Sequence, residues 1–198
     1  MAKNAGDLIL RDRMEFDIDG NGNRTTVYGR IDLSSYISVT GKKGLAIKEV
    51  YFHVREQNSE LLDLTGVWDW AVADEVADAG GHTAALKIYA TTRAYENAAD
   101  VGIASPDVIC LQEYASFTSP NGSTTAGTSY AYTDRYYGPR DMHPEGFTVV
   151  SDLLIGVAAD RWLANRDSTL EIDVVIIAEE VSVTQARLND MLQQQQDL

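Results

Sequence analysis

Leu45-Ala46-Ile47-Lys48-Glu49-Val50-Tyr51-Phe52-His53-Val54-Arg55 is the stretch whose reading sets the fold. β-Branched and aromatic residues dominate it and neither Gly nor Pro interrupts it, so it reads as a strand. Taken alternately, Leu45, Ile47, Glu49, Tyr51 and His53 share one face, and Ala46, Lys48, Val50, Phe52 and Val54 share the other. Neither face is fully polar past the midpoint. The expectation is a strand covered on both sides, or one whose outer face meets another chain.

Upstream, Leu8, Leu10, Met14 and Phe16 recur at even spacing in a strand from Leu8 to Ile18. Asp19-Gly20-Asn21-Gly22-Asn23 closes it with residues that tolerate positive φ, and a return strand runs from Thr25 to Val39 with Val27, Ile31 and Leu33 inward. Downstream, extended segments are expected at Val67–Ala73, Ala84–Arg93, Val108–Phe117, Ser129–Tyr137, Phe147–Ala158 and Thr169–Val183, bringing the strands to nine. Exposed loops are expected at Ala73–Thr83, which is rich in Asp, at Thr118–Thr128, built of small turn residues, and at Gly138–Gly146, stiffened by two prolines. No internal repeat is visible. At Thr184, a plausible N-cap, the pattern changes to a short helix with Leu188, Met191 and Leu192 at i, i+3 and i+4.

At 198 residues, with 44% hydrophobic and 23% charged, the chain is of ordinary globular composition. Irregular strand spacing, with long loops alternating with tight ones, predicts an all-β, two-sheet sandwich of jelly-roll type over 1–183 and a C-terminal amphipathic helix and tail over 184–198. An immunoglobulin-type sandwich is disfavoured because no cysteine pair flanks a tryptophan.

Charge narrows the function. Sixteen Lys plus Arg against thirty Asp plus Glu leave a net charge of −14, with no basic arm or stripe, which argues against phosphate-backbone binding. No apolar run reaches the roughly 18 to 20 residues of a membrane span, and Met1–Leu10 lacks the features of a signal peptide. Cys110, in Val108-Ile109-Cys110-Leu111, reads as a small buried hydrophobe, since nothing in that run stabilises a thiolate.

No phosphate loop, dinucleotide fingerprint, nucleophile elbow or His-Glu-x-x-His occurs, so no enzyme activity is expected. His53, His82 and His143 are far apart in sequence, and a cupin-like metalloenzyme would need them to converge. Asp17-Ile18-Asp19-Gly20-Asn21-Gly22 matches the first half of a calcium loop, with Asp17, Asp19 and Asn21 as ligands. Tyr28 stands where the bidentate Glu belongs, so the plain reading is a hairpin turn, and no other cofactor is expected. Between Arg55 and Lys87 lie Glu60, Asp63, Asp69, Asp74, Glu75 and Asp78 without a basic residue, a solvated acidic region or a subunit contact. Trp68 and Trp70 share a strand face; they are inner packing, or the platform of a calcium-braced carbohydrate-binding module.

Strands apolar on both faces, small-residue loops and an amphipathic end helix point to a protein that contacts copies of itself. The strand succession from Leu8 to Val183 resembles that of single jelly-roll viral capsid proteins. The resemblance implies a self-assembling coat subunit, made in a host cytoplasm and housed in the virion, whose partners are copies of itself and other capsid proteins. Met1–Asp7 carries only Lys3 and Asp7, unlike the basic arms of genome-binding members, so neither direct nucleic-acid binding nor membrane insertion is expected. Subunit contacts are expected at Leu188, Met191 and Leu192, and at Tyr136 and Tyr137.

Overall fold

Along Thr169–Ser182, Leu170, Ile172, Val174, Ile176 and Ala178 alternate with Glu171, Asp173, Val175, Ile177 and Glu179, and the first set is buried. A strand with one such face must lie against a second apolar layer. A computed structural model, which describes residues 6–56, 82–120, 128–144 and 146–196, supplies that layer as a second sheet.

Nine strands are present among the described residues: β1 (Leu8–Asp17), β2 (Arg24–Ile31), β3 (Lys43–Glu56), β4 (His82–Thr91), β5 (Val108–Pro120), β6 (Thr128–Tyr137), β7 (Phe147–Val149), β8 (Leu153–Asp160) and β9 (Thr169–Ser182). They form a four-stranded sheet, β1-β9-β3-β7, and a five-stranded sheet, β2-β8-β4-β5-β6. Every pairing is antiparallel. All connections except β4–β5 and β5–β6 cross from one sheet to the other. The product is an antiparallel β-sandwich. Its core joins Phe16, Leu45, Val50, Ile172 and Ile176 of the first sheet to Leu86, Ile88, Cys110, Ile155 and Val157 of the second, and Trp162 is fully buried beside them.

The two-sided apolarity of Leu45–Arg55 has a local cause. Ile47 pairs with Ala178 and Glu49 with Ile177, so Lys48 is an extra residue in a β-bulge. The bulge flips the alternation, and Leu45, Ile47, Val50 and Val54 are all buried on the same side. Of the two expectations for this strand, coverage on both sides is therefore corrected: its outer face carries Glu49, Tyr51, His53 and Arg55, and Tyr51 is 50% exposed.

Other boundaries moved as well. The expected strand Phe147–Ala158 divides into β7 and β8, in opposite sheets, because the chain turns at Val150–Asp152. The return strand ends at Ile31, where Asp32 Oδ1 accepts from the Ser34 amide at 2.8 Å and starts a turn. Where a loop is expected from Thr118, β5 continues to Pro120, and residues 121–127 lie outside the described residues. Within Gly138–Gly146 a single helical turn, α1 (Pro139–Met142), forms. The expected strand Val67–Ala73, with Trp68 and Trp70, lies outside the described residues.

Segment 92–107 lies on the outer face of the five-stranded sheet. Ala98 and Val101 pack there with Tyr89, Val108 and Leu111 in a second apolar cluster. The Tyr28 hydroxyl donates to the Tyr95 carbonyl (3.0 Å), accepts from the Tyr95 amide (2.6 Å) and meets the Tyr89 hydroxyl at 2.6 Å.

On the edge strand β1, Asp12 occupies an inward-facing position between Leu10 and Met14, yet it is exposed, and its Oδ1 accepts from the Arg13 amide at 2.8 Å. The C-terminal helix, α2 (Gln185–Gln196), starts where the sequence predicts, with Thr184 Oγ1 accepting from the Arg187 amide at 3.3 Å.

Candidate functional site

β9 lies in the middle of the four-stranded sheet, and its outward residues set the character of the outer face. Cross-strand rows place Ile9, Ile177 and Glu49 in one line and Arg11, Val175 and Tyr51 in the next. Ile9 is 52% exposed, while Val175 and Ile177 are half-buried. A small apolar patch therefore sits on a face otherwise built from charges.

Ionic clusters close both ends of that patch. At one end Lys48 Nζ meets Asp7 Oδ1 at 2.5 Å and Glu179 Oε2 at 2.8 Å. Those two hydrogen bonds raise the Lys48 pKa. At the other end Asp173 bridges two arginines, accepting from Arg13 Nε at 2.7 Å and Arg55 Nε at 3.0 Å, with His53 Nδ1 at 4.0 Å. Burial pushes the Asp173 carboxyl up, but the hydrogen bond from Arg13 and the charge of Arg55 outweigh it and hold the group below its ordinary value. Glu171 is nearly buried and ion-paired with Arg55. Three strands are thus tied together by charge. The arrangement can hold a protein surface by apolar contact inside a salt-sensitive frame. Among the described residues, no group of three or more His, Cys, Asp or Glu is placed to hold a metal.

β7 pairs with β3 only at Leu45–Ile47, leaving the rest of that β3 edge without a strand partner among the described residues. Tyr136, at the end of β6, reaches across and its hydroxyl donates to the Val50 carbonyl. Burial raises the Tyr136 pKa, so the hydroxyl stays a donor. Tyr136 as a whole remains 40% exposed.

The remaining residues singled out from sequence serve the fold in several places. Tyr137 packs with the Tyr89 cluster. Leu188 is fully buried against Val150 and Val183 of its own chain, with Met191 partly buried beside it, so Leu188 is not open to a neighbour. α2 contains Leu192, of whose side chain nothing is described. Asp17 Oδ1 accepts from the Thr169 hydroxyl at 2.7 Å. Asp19 Oδ1 accepts from the amides of Asn21 (2.9 Å) and Asn23 (2.8 Å), which shapes the turn from β1 to β2; these strands pair with β9 and β8 in opposite sheets, so the expected hairpin is corrected to a corner between the sheets. His143 Nε2 lies 2.7 Å from the Val108 carbonyl and its ring packs on Phe147, whereas His53 is on the outer sheet face, so these two do not converge. Cys110 is buried, which pushes its thiol up to about 12. No described helix is long and apolar enough to cross a membrane.

Ile9, Val175 and Ile177 were not anticipated. The signal was Val174-Val175-Ile176-Ile177-Ala178, an apolar run that loses the alternation kept on either side of it. No family model matches this chain, and no curated protein sequence matches it.

Proposed function

We propose that the chain is a structural subunit without enzyme activity that assembles with copies of itself, of the kind that forms the shell of a virion. The observation that carries this reading is the strand order. The first strand lies beside the last, and the chain swaps sheets at every connection but two. That interleaving is what the two Greek keys of a jelly roll produce, with β6 added at one edge. The outer face of the four-stranded sheet adds support, because Ile9 and Tyr51 are large apolar groups left in solvent. At a net charge of −14, subunits repel one another at low salt, and screening lets the apolar patch act. The same charge disfavours contact with nucleic acid.

Light scattering with negative-stain microscopy, across ionic strength and protein concentration, tests the proposal. Discrete oligomers or shells that grow with salt are expected. A monomer at every salt and protein concentration overturns it.

A further inference from the structure

A cleft of about 600 Å³ opens on the outer face of the five-stranded sheet, at the end that segment 92–107 does not cover. The small side chains of Ala85 and Ala158 form its floor; the start of β2, the end of β8 and the turn at Asn97–Ala99 form its walls. Its volume lies within the range of small-molecule sites.

Most of its polar groups have internal duties. Lys87 Nζ donates to the carbonyls of Ala98 (3.0 Å) and Val101 (2.7 Å) and pairs with Glu113 at 3.4 Å. Asp19 organises the β1–β2 turn. Arg24 is different. It is half-buried, its Nε is closed off from solvent, and that Nε has no hydrogen-bond partner among the described residues, although Asp19 and Asp160 line the same cleft. That Nε is as closed to a ligand as to water, so a ligand would meet the Nη1 and Nη2 groups, and a carboxylate is the acceptor whose two oxygens suit them.

Neighbouring amides extend the pattern. Asn23 Oδ1 accepts from the Arg161 amide (2.9 Å) and Asn97 Oδ1 from the Ala99 amide (2.9 Å), so each side chain has its NH₂ left to donate. The exposed carboxylate of Asp160 is an acceptor at the rim. We propose that this cleft binds a small hydroxylated organic carboxylate, of which a sugar acid is the simplest form. Its carboxylate lies on Arg24, its ring oxygens and hydroxyls accept from Asn23 and Asn97, and one hydroxyl donates to Asp160. A phosphate fits less well, because its greater charge would face Asp19 and Asp160. The site stands apart from the outer face of the four-stranded sheet and does not depend on assembly.

The test is a chemical-shift titration of the full chain with D-glucuronate, D-glucose and acetate, repeated on Arg24→Gln and on Ala85→Phe, which fills the floor from an exposed position. Saturable shifts with glucuronate at Arg24 and Asn97 are expected, at least about tenfold weaker for glucose and for Arg24→Gln, and lost in Ala85→Phe. Glucose binding as well as glucuronate overturns the role of Arg24. Acetate binding as well as glucuronate overturns recognition of the hydroxyls. No saturable shift, or shifts that survive Ala85→Phe, overturns the site.

Discussion

The ring of Tyr89 lies directly against the backbone of Gly156: a Cβ at position 156 would stand 2.3 Å from Tyr89 Cζ. The two residues are cross-strand partners on β4 and β8, and the absent side chain is what lets a buried tyrosine lie flat under segment 92–107. Gly156→Ala is expected to cost about 3 kcal/mol, because the ring it would displace is held by the Tyr28 hydroxyl and packed in the cluster with Ala98 and Val101. In a Tyr89→Ala background the same substitution should cost far less. Urea denaturation of the four proteins gives the coupling, and additive losses would contradict this contact.

At Gly22 the restriction is twofold. Its φ is +74°, and an added Cβ would meet the Trp162 backbone at 2.6 Å, where the Trp162 amide donates to the Gly22 carbonyl at 2.7 Å. The β1–β2 corner is thereby fastened to the β8–β9 corner. Gly22→Ala should lower stability by about 2 kcal/mol or more, read as a shift in thermal midpoint. Gly146, with positive φ but open space around it, should show a smaller loss on the same substitution.

Arg55 and Glu171 form an ion pair that is largely out of water on a nominally outer face. Removing one partner strands the other. Arg55→Met should destabilise by about 3 kcal/mol, and the double variant Arg55→Met with Glu171→Leu should recover much of that loss. If the double variant is no better than the single one, the carboxylate is not the source of the cost.

Asp173 governs part of the acid response. Its folded-state carboxyl is held below the ordinary value of 3.8, so its contribution is fully present above that value and is lost as pH falls through the folded one. Asp173→Asn should therefore be less stable than the parent by about 1 kcal/mol near pH 6. The gap should close as pH falls below 3.8. Paired melts along a pH series check this, and a gap that widens in acid would reverse the assignment.

Ile9 separates stability from assembly. It is 52% exposed on an edge strand, so Ile9→Asp should change the melt by no more than about 0.5 kcal/mol. Sedimentation should nevertheless move toward the monomer. Unchanged oligomers would remove the apolar patch from the contact.

Strand existence was legible because most segments keep strict alternation, as Leu170 to Val174 does. Position and direction were harder where one residue changes the register. Lys48 is a single inserted residue, and nothing local distinguishes it from an ordinary polar position until its partners on β9 are known. Phe147 to Ala158 is largely apolar on both sides of Ser151-Asp152, and periodicity alone does not turn that polar pair into a change of sheet. The end helix was legible from Thr184, but burial of Leu188 against Val150 is a long-range fact that a helical stripe does not encode. The outer-face patch was partly legible in Val174–Ala178. The Arg24 cleft was not, since its floor and walls come from four separate segments.

Asp12 has a consequence for how matter can grow on this chain. Edge strands template further strands, and an inward-pointing charge on one blocks that route. Here the same carboxylate also occupies the Arg13 amide, a group the next strand would need. An incoming chain at β1 would have to strip water from a carboxylate while losing a ladder bond, so extension into a fibre is closed along that side. Copies that gather must meet through faces and corners, where angles are fixed and growth can come to an end.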